Sequence, residues 1–443
     1  MNRFHSRRSF LKTLGVATVG APFITSNLFA QLPSRTLRHA CFGADGMAYG
    51  DLTNIVNCKN VEIVAICDVD LSRTEKARKL CPNARFYQNW RELLDKEAKN
   101  IDSVNVSTPD HMHAPIALSA MQLGKHVYGQ KPLAHDLYEV RQMTEMAKKQ
   151  KLVTQMGIQI HSSPYYRMAV QIVQDGTIGK IKEVHSWCNK SWGDPSARPD
   201  KSDAVPPDLD WNLWLGVCAD RPFIGDKYYH PGNWRKRLDF GTGTFGDMGC
   251  HIFDPLFESI GLSSPLSVRS DGPAPNQWNW ALNGKVDYLF AGTSRTDSQT
   301  LPVFWYDGTS QPPAEIMALI EEEKFPPSGS LFIGTEGVML LPHPNLPKMF
   351  PTAKFKDFKC PHLPGLKHYE QFVEACRGEG KTTADFSYAG PLTEAILLGG
   401  IASRFPQTTL KWNSPKLEFD LADANHLVRR EYRKGSSIPQ FAI

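Results

Sequence analysis

A lysine, a histidine and two carboxylates stand in settings suited to proton transfer. Lys131 lies in Gln130-Lys131-Pro132. Proline fixes its own φ and restricts the residue before it, so the backbone aims the amine. The competing reading is an ordinary surface lysine ahead of a turn. In the run 241–254, GTGTFGDMGCHIFD, Asp247 and His251 are spaced to share one face of a helix, and Asp254 continues that face one turn later. An imidazole titrates near neutral pH and can pass a proton there, while a neighbouring carboxylate orients it and stabilises its charged form. A packed histidine near a carboxylate at a helix start is the structural alternative. Asp247, His251 and Asp254 do not have a recognised metal-ligand spacing, so no metal is assigned.

These groups need a frame. Val104 and Val106 suit a buried parallel strand, and Thr108-Pro109-Asp110 breaks it to start a helix that runs to Gly124. A second strand, 125–128, delivers Lys131 at the carboxyl edge, where open α/β sheets bind ligands. Upstream, strand 37–42 enters Gly43-Ala44-Asp45-Gly46-Met47-Ala48. This is a variant of G-x-G-x-x-G/A, in which small residues let the backbone approach a pyrophosphate at a helix N-terminus. Asp45 takes the place of the second glycine, so its carboxylate must turn away. Strand 61–67 ends in Asp68, which can accept from both adenosine ribose hydroxyls and repel a 2′-phosphate. NAD is favoured, and the nearby Arg73 leaves NADP open. Helices at 72–80 and 90–99 and a strand at 153–157 continue the βαβ alternation.

The glycine turn, Asp68, Thr108-Pro109 with His113, Gly124-Lys125-His126-Val127 and Lys131-Pro132, in that order, resemble the Gfo/Idh/MocA oxidoreductase family, over about residues 37–405. The resemblance implies an α/β N-terminal Rossmann domain, an α+β C-terminal domain with a large open, mostly antiparallel sheet, and a carbohydrate or polyol substrate. It also implies Lys131, Asp247 and His251 as the catalytic set, through the Asp-x-x-x-His pattern. Cofactor contacts are expected from Gly43, Asp45, Gly46, Met47, Ala48, Asp68, Thr108, Pro109, His113 and Lys131. Substrate contacts are expected from Gln159, Tyr166, Arg167, Trp234, Arg235 and His251. The family pattern has Glu-Lys-Pro where this chain has Gln130, which alters the charge beside Lys131. A homodimer or homotetramer follows by analogy.

A chain of 443 residues exceeds one typical core. The expected division is a Rossmann domain at 35–157, a substrate-binding domain at 158–385, and a C-terminal helix and tail at 386–443 packing back on both. A net charge of +4 gives no broad basic field for nucleic acid, and nine scattered cysteines read as free thiols. Arg7 and Arg8 precede a short apolar run and read as a twin-arginine signal over residues 1–30, too short for a permanent span. Export to the periplasm of an already folded, tightly NAD-loaded protein is the expectation. The stretch 192–237 is rich in Trp, Pro, Asp and Tyr and reads as a long loop over the site. Trp192, Trp211, Trp214 and Trp234 could offer flat faces to a sugar ring; Trp211 and Trp214 suit pinning the loop, and Trp234 with Arg235 suits substrate.

The expected function is an exported NAD(P)-dependent oxidoreductase moving hydride between a sugar or glycoside hydroxyl carbon and nicotinamide. Two alternatives stand beside it. One is a redox-neutral glycoside lyase or hydrolase working through a transient 3-keto intermediate with bound NAD. The other is a non-catalytic sugar-binding homologue.

Overall fold

Short apolar runs alternating with helices build the first layer of the computed structural model, which describes residues 36–436. The expected export signal at 1–30 lies outside the described residues. Strands β1 (Leu37–Phe42), β2 (Val61–Cys67), β3 (Arg85–Tyr87), β4 (Ser103–Val106), β5 (His126–Gly129) and β6 (Thr154–Met156) form one parallel sheet in the order β3-β2-β1-β4-β5-β6. Helices α1 (Met47–Val56), α2 (Glu75–Leu80), α3 (Trp90–Glu97), α4 (His113–Gln122) and α5 (Leu137–Gln150) link them. All of β4 is buried because helices cover both faces of the sheet, which explains its unbroken run without polar-out alternation. Strand order reverses between β1 and β4, and that reversal opens the crevice into which both the glycine turn and Lys131 are delivered.

The second sheet has nine strands: β7 (Ile181–Cys188), β8 (Ser267–Ser270), β9 (Lys285–Ala291), β10 (Thr300–Asp307), β11 (Ser328–Gly334), β12 (Val338–Pro342), β13 (Lys348–Phe350), β14 (Thr409–Asn413) and β15 (Glu418–Phe419). Only β7 and β10 pair in parallel; the other neighbours run antiparallel. On β9, Val286, Tyr288 and Phe290 are buried in alternation with more exposed neighbours, the period of a strand with one covered face. The cover consists of α6 (Pro164–Gln174), α8 (Gly243–Ile260) and α10 (Phe386–Ala402); the short α7 (Trp211–Leu215) and α9 (His368–Cys376) lie between them in sequence. Phe245 of α8 stacks on Trp305 of β10 at 4.5 Å between centroids. Helix α10 packs on both α5 and α8 and so ties the two sheets together.

Two segments carry more order than their sequences announce. The stretch 192–237 contains α7 and an apolar cluster of Leu209, Trp214, Phe223, Tyr229 and Trp234, which Phe240 just beyond it completes. It docks on the first domain through main-chain bonds from Leu71 to Asp208 and from Asp210 to Val69, both 2.9 Å. The tail at 386–443, expected as a helix and returning chain, also supplies β14 and β15 at the sheet edge. Among the described residues all nine cysteines are free, and no helix is long and apolar enough to cross a membrane.

Candidate active site

The crevice is shaped for a dinucleotide. Gly43 has φ +102°, and a Cβ there would lie 2.7 Å from both the Ala48 Cβ and the Ser107 carbonyl. Only glycine fits that approach. Gly46, the N-cap of α1, has φ +61° and open space where a Cβ would stand, and no side chain caps the helix. Uncapped N–H groups at a clear helix start suit a pyrophosphate. Asp45 does turn away, pairing with Arg73 at 2.8 Å and Lys76 at 3.6 Å. Asp68 accepts from the Ala44 and Asp70 N–H groups at 2.8 and 3.0 Å, and burial pushes its carboxyl up to about 6. Met47, Ala48, Thr108, Pro109 and Lys131 also line the crevice. His113 lines it as well, with Nδ1 2.7 Å from the Pro132 carbonyl and Nε2 2.8 Å from that of Thr108. The ring thus clamps the two segments that end β4 and β5.

The catalytic candidates meet across the domains. Lys131 Nζ donates to Asp247 Oδ1 at 2.7 Å and to the Asp247 carbonyl at 2.8 Å, both groups being almost fully buried. Trp192 Nε1 donates to Asp247 Oδ2 at 2.9 Å, while Arg235 and Lys190 lie 3.5 and 3.7 Å from the carboxylate. Burial alone would raise the Asp247 carboxyl, but Lys131, then Arg235 and Lys190, outweigh it and hold the group well below the usual carboxylate range. His251 is only partly buried as a residue, yet its Nδ1 is enclosed without a hydrogen-bond partner. Burial, then the charges of Lys131 and His343, hold its imidazole well below the ordinary value. Asp247 was expected to orient His251; its carboxylate oxygens instead hold Lys131 and Trp192.

Not every expected residue joins this group. Asp254 accepts from His161 at 2.9 Å and from Tyr388 at 2.6 Å, a separate buried cluster. Gln159 donates to Tyr369 at 3.0 Å and reaches Asp51 at 3.4 Å. Arg167 bonds the Pro364 carbonyl. Tyr166 is buried, with its hydroxyl 2.6 Å from His343 Nδ1, and the His343 ring lies 6.1 Å from that of His251. Trp234 belongs to the insertion's apolar cluster and also borders the crevice; Arg235 lies over its ring at 4.3 Å. Lys190, His343 and the indole bond of Trp192 join the site without any signal in the sequence. Lys190 and Trp192 stand on the loop after β7 and His343 follows β12, and they share no motif.

A sequence model of an oxidoreductase family with an NAD-binding Rossmann fold matches residues 37–158, and the model of its C-terminal alpha/beta domain matches 178–295. The levoglucosan dehydrogenase of Pseudarthrobacter phenanthrenivorans is 26% identical over 180 residues, 41% of this chain and 38% of that protein. The α-N-acetylgalactosaminidase of Shewanella oneidensis is 26% identical over 211 residues, 41% of this chain and 45% of the relative. The matches therefore span less than half of these curated relatives. Among solved structures, the WlbA dehydrogenase of Bordetella pertussis, in complex with NADH and UDP-GlcNAcA, superposes with a TM-score of 0.61 at 16% identity, covering 86% of this chain and 99% of that one. GenD2 from gentamicin A biosynthesis, in complex with NAD, gives 0.57 at 16% identity, covering 87% and 98%. At such identities these structures establish the fold.

Proposed function

Because the chain belongs to the Gfo/Idh/MocA family of NAD-binding oxidoreductases, we propose that it is an exported enzyme that moves a hydride between NAD and a hydroxyl-bearing carbon of a sugar or glycoside. The observation that carries this reading is the ion pair of Lys131 and Asp247, which places an amine from the dinucleotide crevice beside the helix that bears His251. Bound nicotinamide supplies the hydride acceptor. A neutral His251 takes the hydroxyl proton through its imidazole. Lys131 holds the negative charge growing on that oxygen, and Asp247 keeps the ammonium in place through two acceptors. Arg73, engaged by Asp45, is drawn away from a 2′-phosphate, which favours NAD over NADP.

The second reading is redox-neutral cleavage of a glycoside through a transient ketone. One observation favours it: the 192–237 insertion bridges to the first domain through His230 Nε2 and Asp70 at 2.8 Å and adds Pro231, Gly232 and Trp234 to the crevice wall. A dinucleotide beneath that bridge would exchange slowly and suit a cycle that restores it. Similarity to a Shewanella glycosidase supports the same reading. Arg7 and Arg8 support periplasmic export, and a homodimer or homotetramer completes the proposal.

The test is to incubate purified protein with glycosides, with and without added NAD, and to identify any dinucleotide released on denaturation by mass spectrometry. NADH accumulation supports dehydrogenation, and glycoside fragments formed without added NAD support cleavage. A protein that binds sugar, holds no dinucleotide and turns nothing over would overturn both.

A further inference from the structure

Helix α8 presents Thr242 and Gly246 to a second cavity, of about 230 Å³, that shares no lining residue with the dinucleotide crevice. Its donors are in excess. Arg430 spends Nη2 on Cys218 Sγ at 3.0 Å and the Asp239 carbonyl at 3.1 Å, while Nε and Nη1 are buried with no partner. Arg404 lies over the Trp280 ring at 5.6 Å. Of the nearby carboxylates, the Asp136 oxygens take the N–H groups of Glu139 and Arg430 at 2.8 and 3.1 Å, the Glu139 oxygens take the His135 N–H and the Tyr432 hydroxyl, and Asp239 pairs with Arg221 through one oxygen. The Thr242 hydroxyl is turned to Asp110 at 2.6 Å, so it does not cap α8, and the positive end of that helix adds to the donor surplus.

Unfilled buried N–H groups are costly, and a cavity with leftover donors and occupied acceptors is complementary to an oxyanion. We propose that this cavity is a binding site for a small carboxylate or phosphate, held by the open edge of Arg430 together with Arg404. Trp280, Ile396 and Ile401 line the same cavity and give an apolar wall for the body of an organic acid. A ligand there would rest against the first turn of the helix that carries Asp247 and His251, from a face different from theirs.

Calorimetric titration of the NAD-saturated protein with benzoate, and separately with inorganic phosphate, at constant ionic strength against chloride, tests the site. Saturable binding is expected, weakened about tenfold or more in Arg404→Gln and in Arg430→Gln. Tighter benzoate binding would identify an organic carboxylate as the ligand type, and tighter phosphate binding a phosphate group. No saturable binding of either anion by the wild-type chain overturns the proposal, as does undiminished binding by folded Arg404→Gln. Arg430 sits among buried carboxylates, so if Arg430→Gln fails to fold, Arg404→Gln decides the outcome.

Discussion

The side-chain amide of Gln130 donates to both carboxylate oxygens of Asp51, at 3.1 and 2.8 Å. Asp51 is fully buried on α1, and it also accepts from Ser107 at 2.6 Å and Tyr369 at 2.8 Å. Gln130 Oε1 in turn accepts the Lys131 N–H at 3.2 Å. The departure from Glu-Lys-Pro is therefore matched to its surroundings: a glutamate here would set two buried carboxylates within hydrogen-bond distance, and the glutamine turns that repulsion into a bond.

Gln130→Glu should destabilise the protein by about 3 kcal/mol through this like-charge burial. Adding Asp51→Asn should recover much of the loss, because the donor and acceptor are then exchanged. Chemical denaturation of the four members of the cycle measures the coupling. Strict additivity of the two changes would show that the contact does not explain the residue.

Lys131→Met and His251→Asn should each lower kcat by about a thousandfold while changing dinucleotide affinity by no more than about threefold. Because His251 is held neutral well below its ordinary value, the acid limb of kcat/KM should lie below pH 6.5. In Lys131→Met the residual activity should show that limb moved upward, since a depressing charge is gone. An unmoved limb would remove His251 from the role of base.

The His161–Asp254 pair gives stability a pH dependence of definite sign. Burial lowers the imidazole, but Asp254 and then Glu258 outweigh it and raise His161 to about 9. A raised histidine stabilises fully below its unfolded value of about 6.5, and that contribution is lost as pH rises to about 9, amounting to about 3 kcal/mol. Asp254→Asn should flatten the unfolding free energy over that window, and denaturant midpoints from pH 6 to 10 would reveal it.

The βαβ frame was legible because buried parallel strands and glycine-ended helices leave strong local patterns, and the Asp247–His251 spacing was legible because helical period is local. Asp254 exposes the limit of that reasoning. Seven residues beyond Asp247 it shares the face, but lies about 10 Å further along the axis, where His161 and Tyr388 claim it. Asp51, Lys190, Trp192 and His343 reach their partners from distant parts of the chain, so no spacing announces them. Strand β14 is only five residues long, so its alternation of buried Leu410 and Trp412 with exposed neighbours is too brief to stand out.

The bridge between His230 and Asp70 should govern cofactor exchange. Burial, offset by Asp70, lowers the imidazole, so at neutral pH the contact is a hydrogen bond rather than an ion pair. Asp70→Ala should raise the rate of dinucleotide dissociation by about tenfold with little change in kcat at saturating NAD. Stopped-flow displacement measures it, and an unchanged rate would mean that the insertion does not retain the cofactor.

Coenzyme choice should turn on Asp45 and Asp68. Above about pH 6 Asp68 is ionised and would oppose a 2′-phosphate placed beside it, while Asp45 occupies the arginine that could welcome one. Asp45→Asn should release Arg73, and Asp68→Ser should remove the opposing charge. Together they should shift the kcat/KM ratio toward NADP by about a hundredfold, with either single change giving about tenfold. The preference of the wild-type chain for NAD should also sharpen as pH rises from 5 to 7, following ionisation of Asp68. Comparable use of both coenzymes by the wild-type chain across that range would show that neither carboxylate selects, and would leave the Asp45–Arg73 pair as a fastening of the glycine turn to the turn that precedes α2.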